Sequence, residues 1–390
     1  MRTGTPGFVA ARLTEGREAR GLTQTSLSEM TGIKSQSISH YEQGRQSPSP
    51  EALGMICRAL ELPERFFLRP AGTYPGHGYF FRAHALHSRV TAKLARTKAE
   101  RRLGWLREIA RYAGRFVDFP EVRLPACPLA PGAPDSDVEA AAEQVRREFG
   151  LGNGPLEELI PLLESRGCMV TRWALDADLE GSYSQFEGGV PYIALRSGDA
   201  RTSWVRYSAA HELGHLTMHR HLPEEWIEES ETHRVLEAQA DRFARAFLMP
   251  SGVFASEVWA PTIDALLTLK KEWRCPVSVM VCRCGEVGLF DADQVRRATV
   301  NLVRRGWKAT EPREDAMERE QPQLLARSIR LLLDSGLKDR HSLLTELGLN
   351  ARDVEELAGL QPGSLAAARP EPPAELRLRR EGTSEEQLLR

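Results

Sequence analysis

A mainly α-helical chain with a small β-sheet, of the α+β class, is what the sequence predicts, on three observations. The first 70 residues break into short helical segments punctuated by glycine and proline. Strand-type runs are confined to 168–173 and 190–195. A continuous helical pattern at 202–219 carries His211-Glu212-Leu213-Gly214-His215. At 390 residues the chain has room for two or three domains, each with its own core. A content of 41% hydrophobic and 27% charged residues with a net charge of −2 is that of a globular protein. No apolar run approaches a membrane span and the first 30 residues lack a signal peptide's apolar centre, so a cytoplasmic location without membrane partners is expected. Cys57, Cys127, Cys168, Cys275, Cys282 and Cys284 are too sparse for a disulfide scaffold, and no Cys-x-x-Cys pair offers a metal site. They read as small packing residues.

Five short helices are expected in residues 1–70, at 7–20, 24–30, 35–42, 50–60 and 63–68. Gly21 ends the first, Thr23 caps the second, and Gly32 makes the turn between second and third. Gly44 closes the third, and Pro48 and Pro50 hold the next loop extended. Leu27, Met30, Ile33, Ile38 and Tyr41 are spaced to hold the second and third helices across a tight turn, which is helix-turn-helix geometry. The stretch LTQTSLSEMTGIKSQSISHYEQGRQSPSPEALGMICRALEL resembles the XRE family of Cro/repressor-type DNA-binding domains over residues 8–68. That resemblance implies a five-helix domain, dimers on a double-stranded DNA operator, and a phosphate-bracing role for Gln24. Lys34, Ser35, Gln36, Ser37 and Ser39 then fall on the exposed face of the recognition helix. Gln36 suits bidentate pairing with adenine, and Lys34 and Arg45 suit phosphate. Nine Lys and Arg against seven Asp and Glu give this segment a net charge of only +2, which leaves open a helical protein-interaction module of the same fold.

Residues 71–135 read as a basic connector: an aromatic loop (GTYPGHGYFFRA), then a long helix at 88–118. Between Arg82 and Arg123, eleven Lys or Arg face four Asp or Glu, a net of +7. This charge is either a solvated face or an electrostatic supplement to DNA binding. The helix's apolar stripe has either the C-terminal part or a second protomer to pack on. Five prolines in VDFPEVRLPACPLAPGAPDSD mark the boundary with the next domain.

In 136–312, Ser136-x-x-Glu139 reads as a capping box opening a helix, and Pro155 as the start of another ending at Gly167. His211 and His215, four apart, share a helical face and form a pair of zinc ligands, with Glu212 beside them to take a proton from water. A catalytic zinc takes a third protein ligand. Glu237 and Asp241, four apart on a downstream helix with small Ala238, Ala240 and Ala244, supply one: Glu237 as ligand, Asp241 orienting an imidazole. Glu228, Glu229 and Glu231 compete from a polar segment. HELGHLTMHR followed by Glu237, Ala240, Asp241, Phe243, Ala244 and Leu248-Met249-Pro250 resembles the ImmA/IrrE family of zinc peptidases, with similarity from residue 80 to past 310. The resemblance implies Zn2+-dependent cleavage of a peptide bond, in a partner regulator or in the chain itself. Tyr183 and His233 are candidate oxyanion donors, and His219 a support for the ligands.

Beyond residue 312 further helices are expected at 319–335, 340–347 and 351–360, with QLLARSIRLLL as a core or dimer helix and a disordered tail from 366. The expected division is therefore 1–70, 71–135, 136–312, 313–365 and 366–390. Two functions fit: a DNA-binding repressor fused to a working zinc endopeptidase, or a non-catalytic regulator whose peptidase-like part senses or docks.

Overall fold

The computed structural model describes residues 4–72, 80–81, 89–173, 182–197, 201–307 and 310–366, without the side chains of 80–81, 89–92, 224, 228 and 230. The disorder expected for the tail concerns residues that, from 367 onward, lie outside this set.

Local signals build the N-terminal helices α1 (Ala10–Ala19), α2 (Gln24–Thr31), α3 (Ser35–Glu42) and α4 (Pro50–Leu60), followed by a 3-10 turn at Glu64–Leu68. Thr23 and Ser49 accept the backbone N–H groups of Ser26 and Ala52, and Gly32 ends α2 at φ 71°, a conformation that glycine adopts without strain. Leu13, Leu27, Ile38, Leu53, Ile56 and Phe66 form the core. Met30 departs from the expected packing: it is 56% exposed.

Next come β1 (Phe80–Phe81), α5 (Arg89–Ala113), α6 (Asp135–Glu148), α7 (Ile160–Ser165), β2 (Met169–Trp173), β3 (Tyr183–Glu187) and β4 (Val190–Arg196). The four strands order as β1-β3-β4-β2, with β2 parallel to β4 and the rest antiparallel. β1 falls within the expected aromatic loop, paired with β3. A two-residue turn at Gly188 and Gly189, both at positive φ (59° and 82°), joins β3 to β4 with the twist a tight hairpin needs. Two helix starts differ from expectation. Ser136 caps nothing, because Asp135 already lies inside α6, and Glu139 turns to Arg283 and Arg242. Pro155 precedes α7 without starting it; the first N–H groups of α7 go to Glu320, far along the chain.

The remaining helices are α8 (Thr202–Gly214), continued by a π turn at His215–His219, then α9 (Glu224–Glu228), α10 (Ser230–Leu248), α11 (Ser251–Glu257), α12 (Ile263–Trp273), α13 (Val277–Glu286), α14 (Ala292–Arg304), α15 (Leu324–Asp334), α16 (Arg340–Leu347) and α17 (Ala351–Ala358). Alternation along the strands gives the sheet two buried faces. Val170, Ile193 and Leu195 join α6, α8, α10 and α13 in one core. Met169, Trp173, Tyr183 and Tyr192 join the N-terminal helices, α5 and α15 to α17 in a second. The QLLARSIRLLL helix, α15, buries Leu325, Ile329 and Leu332 there and leaves Leu331 exposed.

Glutamates of the segment after α14 tie these layers together. Glu311 accepts N–H groups at the start of α13, and Glu314 accepts Ser203 N at the start of α8. Fully buried Lys270 pairs with both, at 2.7 and 2.6 Å. Helix N-termini have unsatisfied N–H groups and a positive dipole end, so each carboxylate is placed where it is favoured.

Candidate metal centre and nucleic-acid face

Helix α8 crosses α10 closely because Gly214 has no side chain. A Cβ there would lie 3.0 Å from the Phe243 ring. Ala240 and Ala244 are fully buried on the facing side, whereas Ala238 points outward. This crossing brings Glu237 to the histidines. His211 Nε2 and His215 Nε2 lie 3.0 Å apart, and Glu237 lies 3.3 Å from the first and 3.1 Å from the second. These three residues are the group among the described residues able to hold a metal ion.

The proton inventory fits a cation there. Gln239 Nε2 donates to Ala130 O at 3.0 Å, so its Oε1 must accept from His219 Nε2–H at 3.1 Å. Burial, and then His215, push His219 well below the ordinary histidine range, which favours its neutral form. Its Nδ1 therefore accepts from His215 Nδ1–H at 3.0 Å. On the other side Asp241 Oδ1 takes His211 Nδ1–H at 2.9 Å, and Tyr207 Oη donates to the same oxygen at 2.9 Å. Both ligand-side Nε2 atoms thus present lone pairs. They face each other and a carboxylate whose Oε1 is buried without a hydrogen bond. Three converging lone pairs repel unless a cation sits among them. A tetrahedral zinc with bonds of about 2.0–2.1 Å sets its ligand atoms about 3.3–3.4 Å apart, close to the spacing found.

Glu212 is fully buried beside these ligands and outside the ligand group. Its oxygens accept Ser182 Oγ and Ser184 Oγ, each at 2.5 Å. Of the competing acids, Glu231 pairs with Arg234 and Glu229 accepts from Thr232, both on the surface. The side chain of Glu228 lies outside the described set. His233 stands one turn before Glu237 with its Nε2 3.9 Å from the carboxylate. Tyr183 is not available as an oxyanion donor: it faces the opposite side of β3 from the serines and stacks on Trp173. Sequence reasoning does not single out Ser182, Ser184, Tyr207 or Gln239. Tyr207 sits four residues before His211 on the same helical face, a spacing that could have found it.

In the N-terminal module, Lys34, Ser35 and Gln36 are exposed at the start of α3, with Arg45 exposed just beyond its end. Ser37 and Ser39 are half-buried, and Ser39 Oγ accepts Gln43 Nε2. Gln24 is drawn inward: its Nε2 donates to Glu42 at 2.7 Å, and Arg17 grips the same carboxylate at 2.6 and 2.9 Å. One amide N–H of Gln24 is thereby committed within the module.

Two histidines from one helix turn, a glutamate between them and a carboxylate from α10 define a metallopeptidase-like domain of the His-Glu-x-x-His type, carried behind a helix-turn-helix module. Residues 164–284 match the family model described as IrrE N-terminal-like domain, and residues 13–67 the one described as Helix-turn-helix. These two matches support an XRE-type helix-turn-helix module joined to an ImmA/IrrE-like, peptidase-like domain. No curated protein matches it. No described helix is long and apolar enough to cross a membrane.

Proposed function

We propose that this protein is a DNA-binding transcriptional repressor whose fused zinc endopeptidase cuts a partner regulator or the chain itself to switch transcription. The convergence of His211, His215 and Glu237 on one point, with Glu212 beside them, carries the reading. Zinc held by those three residues would supply polarisation of the scissile carbonyl and activation of water. Glu212 takes the proton of the attacking water and returns it to the leaving amine, while Asp241 and His219 hold the ligand imidazoles in the tautomers that expose Nε2. His233 is the candidate donor to the developing oxyanion.

On the DNA side, Gln36 reads a base edge, Lys34, Ser35, Ser37, Ser39 and Arg45 orient the module, and two protomers span two half-sites. Residues 1–70 bind the operator, 71–135 connect, 136–312 form the peptidase and 313–365 complete the fold. The test is mass spectrometry of the full chain, alone and with co-expressed neighbours, with and without zinc. Zinc-dependent fragments that vanish in Glu212→Gln are expected. Identical fragment patterns and identical operator release in wild type and variant refute the peptidase and leave a sensor.

A further inference from the structure

The base of the centre is held from the sheet rather than from its own helix. A helix fixes the Cα of Glu212 but leaves a side chain with several rotatable bonds. Ser182 Oγ donates to Oε1 and Ser184 Oγ to Oε2, both at 2.5 Å. The two serines are 1% and 0% exposed and the glutamate 0%, so these bonds are shielded from bulk solvent. Two residues apart, Ser182 just before β3 and Ser184 within it, the serines present both hydroxyls to one side, while Tyr183 between them packs on Trp173 on the other. One donor on each oxygen fixes the plane of the carboxylate as well as its position. Each oxygen keeps further acceptor capacity, so a water proton can still be received. A loose carboxylate beside His211 and His215 would be free to swing onto the metal as a further ligand; the clamped one is not.

We propose that Ser182 and Ser184 are positioning residues of the centre, locking Glu212 as a base and keeping it out of the metal's ligand set. The proposal rests on the reading of Glu212 as the general base. It makes β3 part of the catalytic apparatus, so that whatever pairs with or displaces that strand acts directly on the base. A purely structural role, in which the hydroxyls only satisfy a buried acid, predicts lost stability without a specific kinetic defect.

The experiment uses the full-length, zinc-loaded protein with fluorescein-labelled casein as the probe. Ser182→Ala and Ser184→Ala are expected to lower kcat about tenfold each, and together about 100-fold, part of the 10²–10⁴ that a general base supplies. KM and zinc content stay as in wild type, and the corresponding threonine variants, which keep the hydroxyl, recover activity to within about threefold. Melting temperatures are read in parallel, because they do not depend on turnover. Each serine-to-alanine change should cost much less in a Glu212→Ala background than in wild type. Alanine variants as active as wild type, in an enzyme that Glu212→Gln inactivates, overturn the positioning role and leave the base intact. Additive melting shifts overturn the clamp itself. If wild type does not cut casein, or Glu212→Gln cuts it equally well, the peptidase reading fails for this probe. Non-additive melting shifts then reduce the serines to structural partners, which also overturns the proposal.

Discussion

Asp241→Asn probes how far the ligands depend on their support. Asp241 Oδ1 lies 2.9 Å from His211 Nδ1 and accepts Tyr207 Oη at the same distance, while Arg245 reaches Tyr207 Oη at 3.3 Å and anchors on Glu286 at 2.7 Å. Asparagine keeps the shape and one acceptor oxygen, so His211 retains a partner but not a charged one. Charge-assisted hydrogen bonds are roughly twice as strong as neutral ones. Loss of an outer partner of a metal-bound histidine typically costs 10–100-fold in metal affinity, about 1.4–2.7 kcal/mol. The Asp241 side chain is 29% exposed, so solvent screens part of its charge, and the lower end is expected: about tenfold, or ~1.4 kcal/mol. Tyr207→Phe, which removes only one donor to that oxygen, should cost less. The assay is competition for zinc against a chromophoric chelator near neutral pH, with circular dichroism to exclude unfolding. An Asp241→Asn affinity within twofold of wild type, in a protein that His215→Ala strips of metal, refutes the support role.

Gly214→Ala should destabilise by about 1–3 kcal/mol in urea unfolding, because its Cβ meets the Phe243 ring at 3.0 Å across the α8–α10 crossing; a neutral outcome means the helices separate freely. Lys270→Met should cost about 3–5 kcal/mol by the same measurement, since it strands Glu311 and Glu314 in the interior, and a loss under ~1 kcal/mol contradicts this. The Ser342 hydroxyl, and then its backbone N–H, hold the Asp339 carboxyl below the ordinary range at the start of α16. A depressed value stabilises the fold above the unfolded pKa of about 3.9 and is lost as pH falls through the folded one. The melting-temperature gap between wild type and Asp339→Ala should therefore shrink on acidification, and a pH-independent gap refutes the assignment. For operator DNA, Lys34→Gln and Arg45→Gln should each reduce the slope of log affinity against log salt by about 0.9, whereas Arg101→Gln should leave it unchanged, as gel-shift titrations can check.

Helix positions are legible where the signals are local. Thr23, Gly32 and Ser49 act on neighbours within a few residues, and the helices they bound lie within a residue or so of expectation except at α1. The His-Glu-x-x-His face and the Glu237–Asp241 pair are legible for the same reason, four-residue spacing on a helix. The features that sequence misses depend on distant partners. Glu320 starts α7 from about 160 positions away, and Arg283 draws off the glutamate that would have closed a capping box at Ser136. Strand β3 (YSQFE) lacks the aliphatic run that marks its neighbours, and its signal is the Gly188-Gly189 turn after it. The serine contacts to Glu212 arise only once the sheet is packed on α8.

The charge of α5 has uses that composition alone does not reveal. Its net positive run leaves open a solvated face or extra attraction for DNA, and several of its guanidinium groups have protein partners. Arg101 reaches Glu18 of α1 at 2.7 Å, Arg102 reaches Glu356 of α17 at 2.8 Å, and Arg107 is buried against Gln185 and Glu187 of β3. Arg20 of the N-terminal module adds a two-pronged contact to Asp353 at 2.7 and 2.6 Å. A cation already paired with a carboxylate contributes little net field at a distance of a Debye length. Arg101, Arg102 and Arg107 thus join three parts of the chain whose acids complement them, and the apolar stripe beneath them completes the core those parts share. Because Arg107 reaches β3 at residues next to the serines that hold Glu212, the DNA-reading module and the metal centre meet through one helix and one strand. Any coupling between cleavage and DNA release has a short physical route there, and double-mutant cycles between Arg107 and Ser184 on operator affinity measure it.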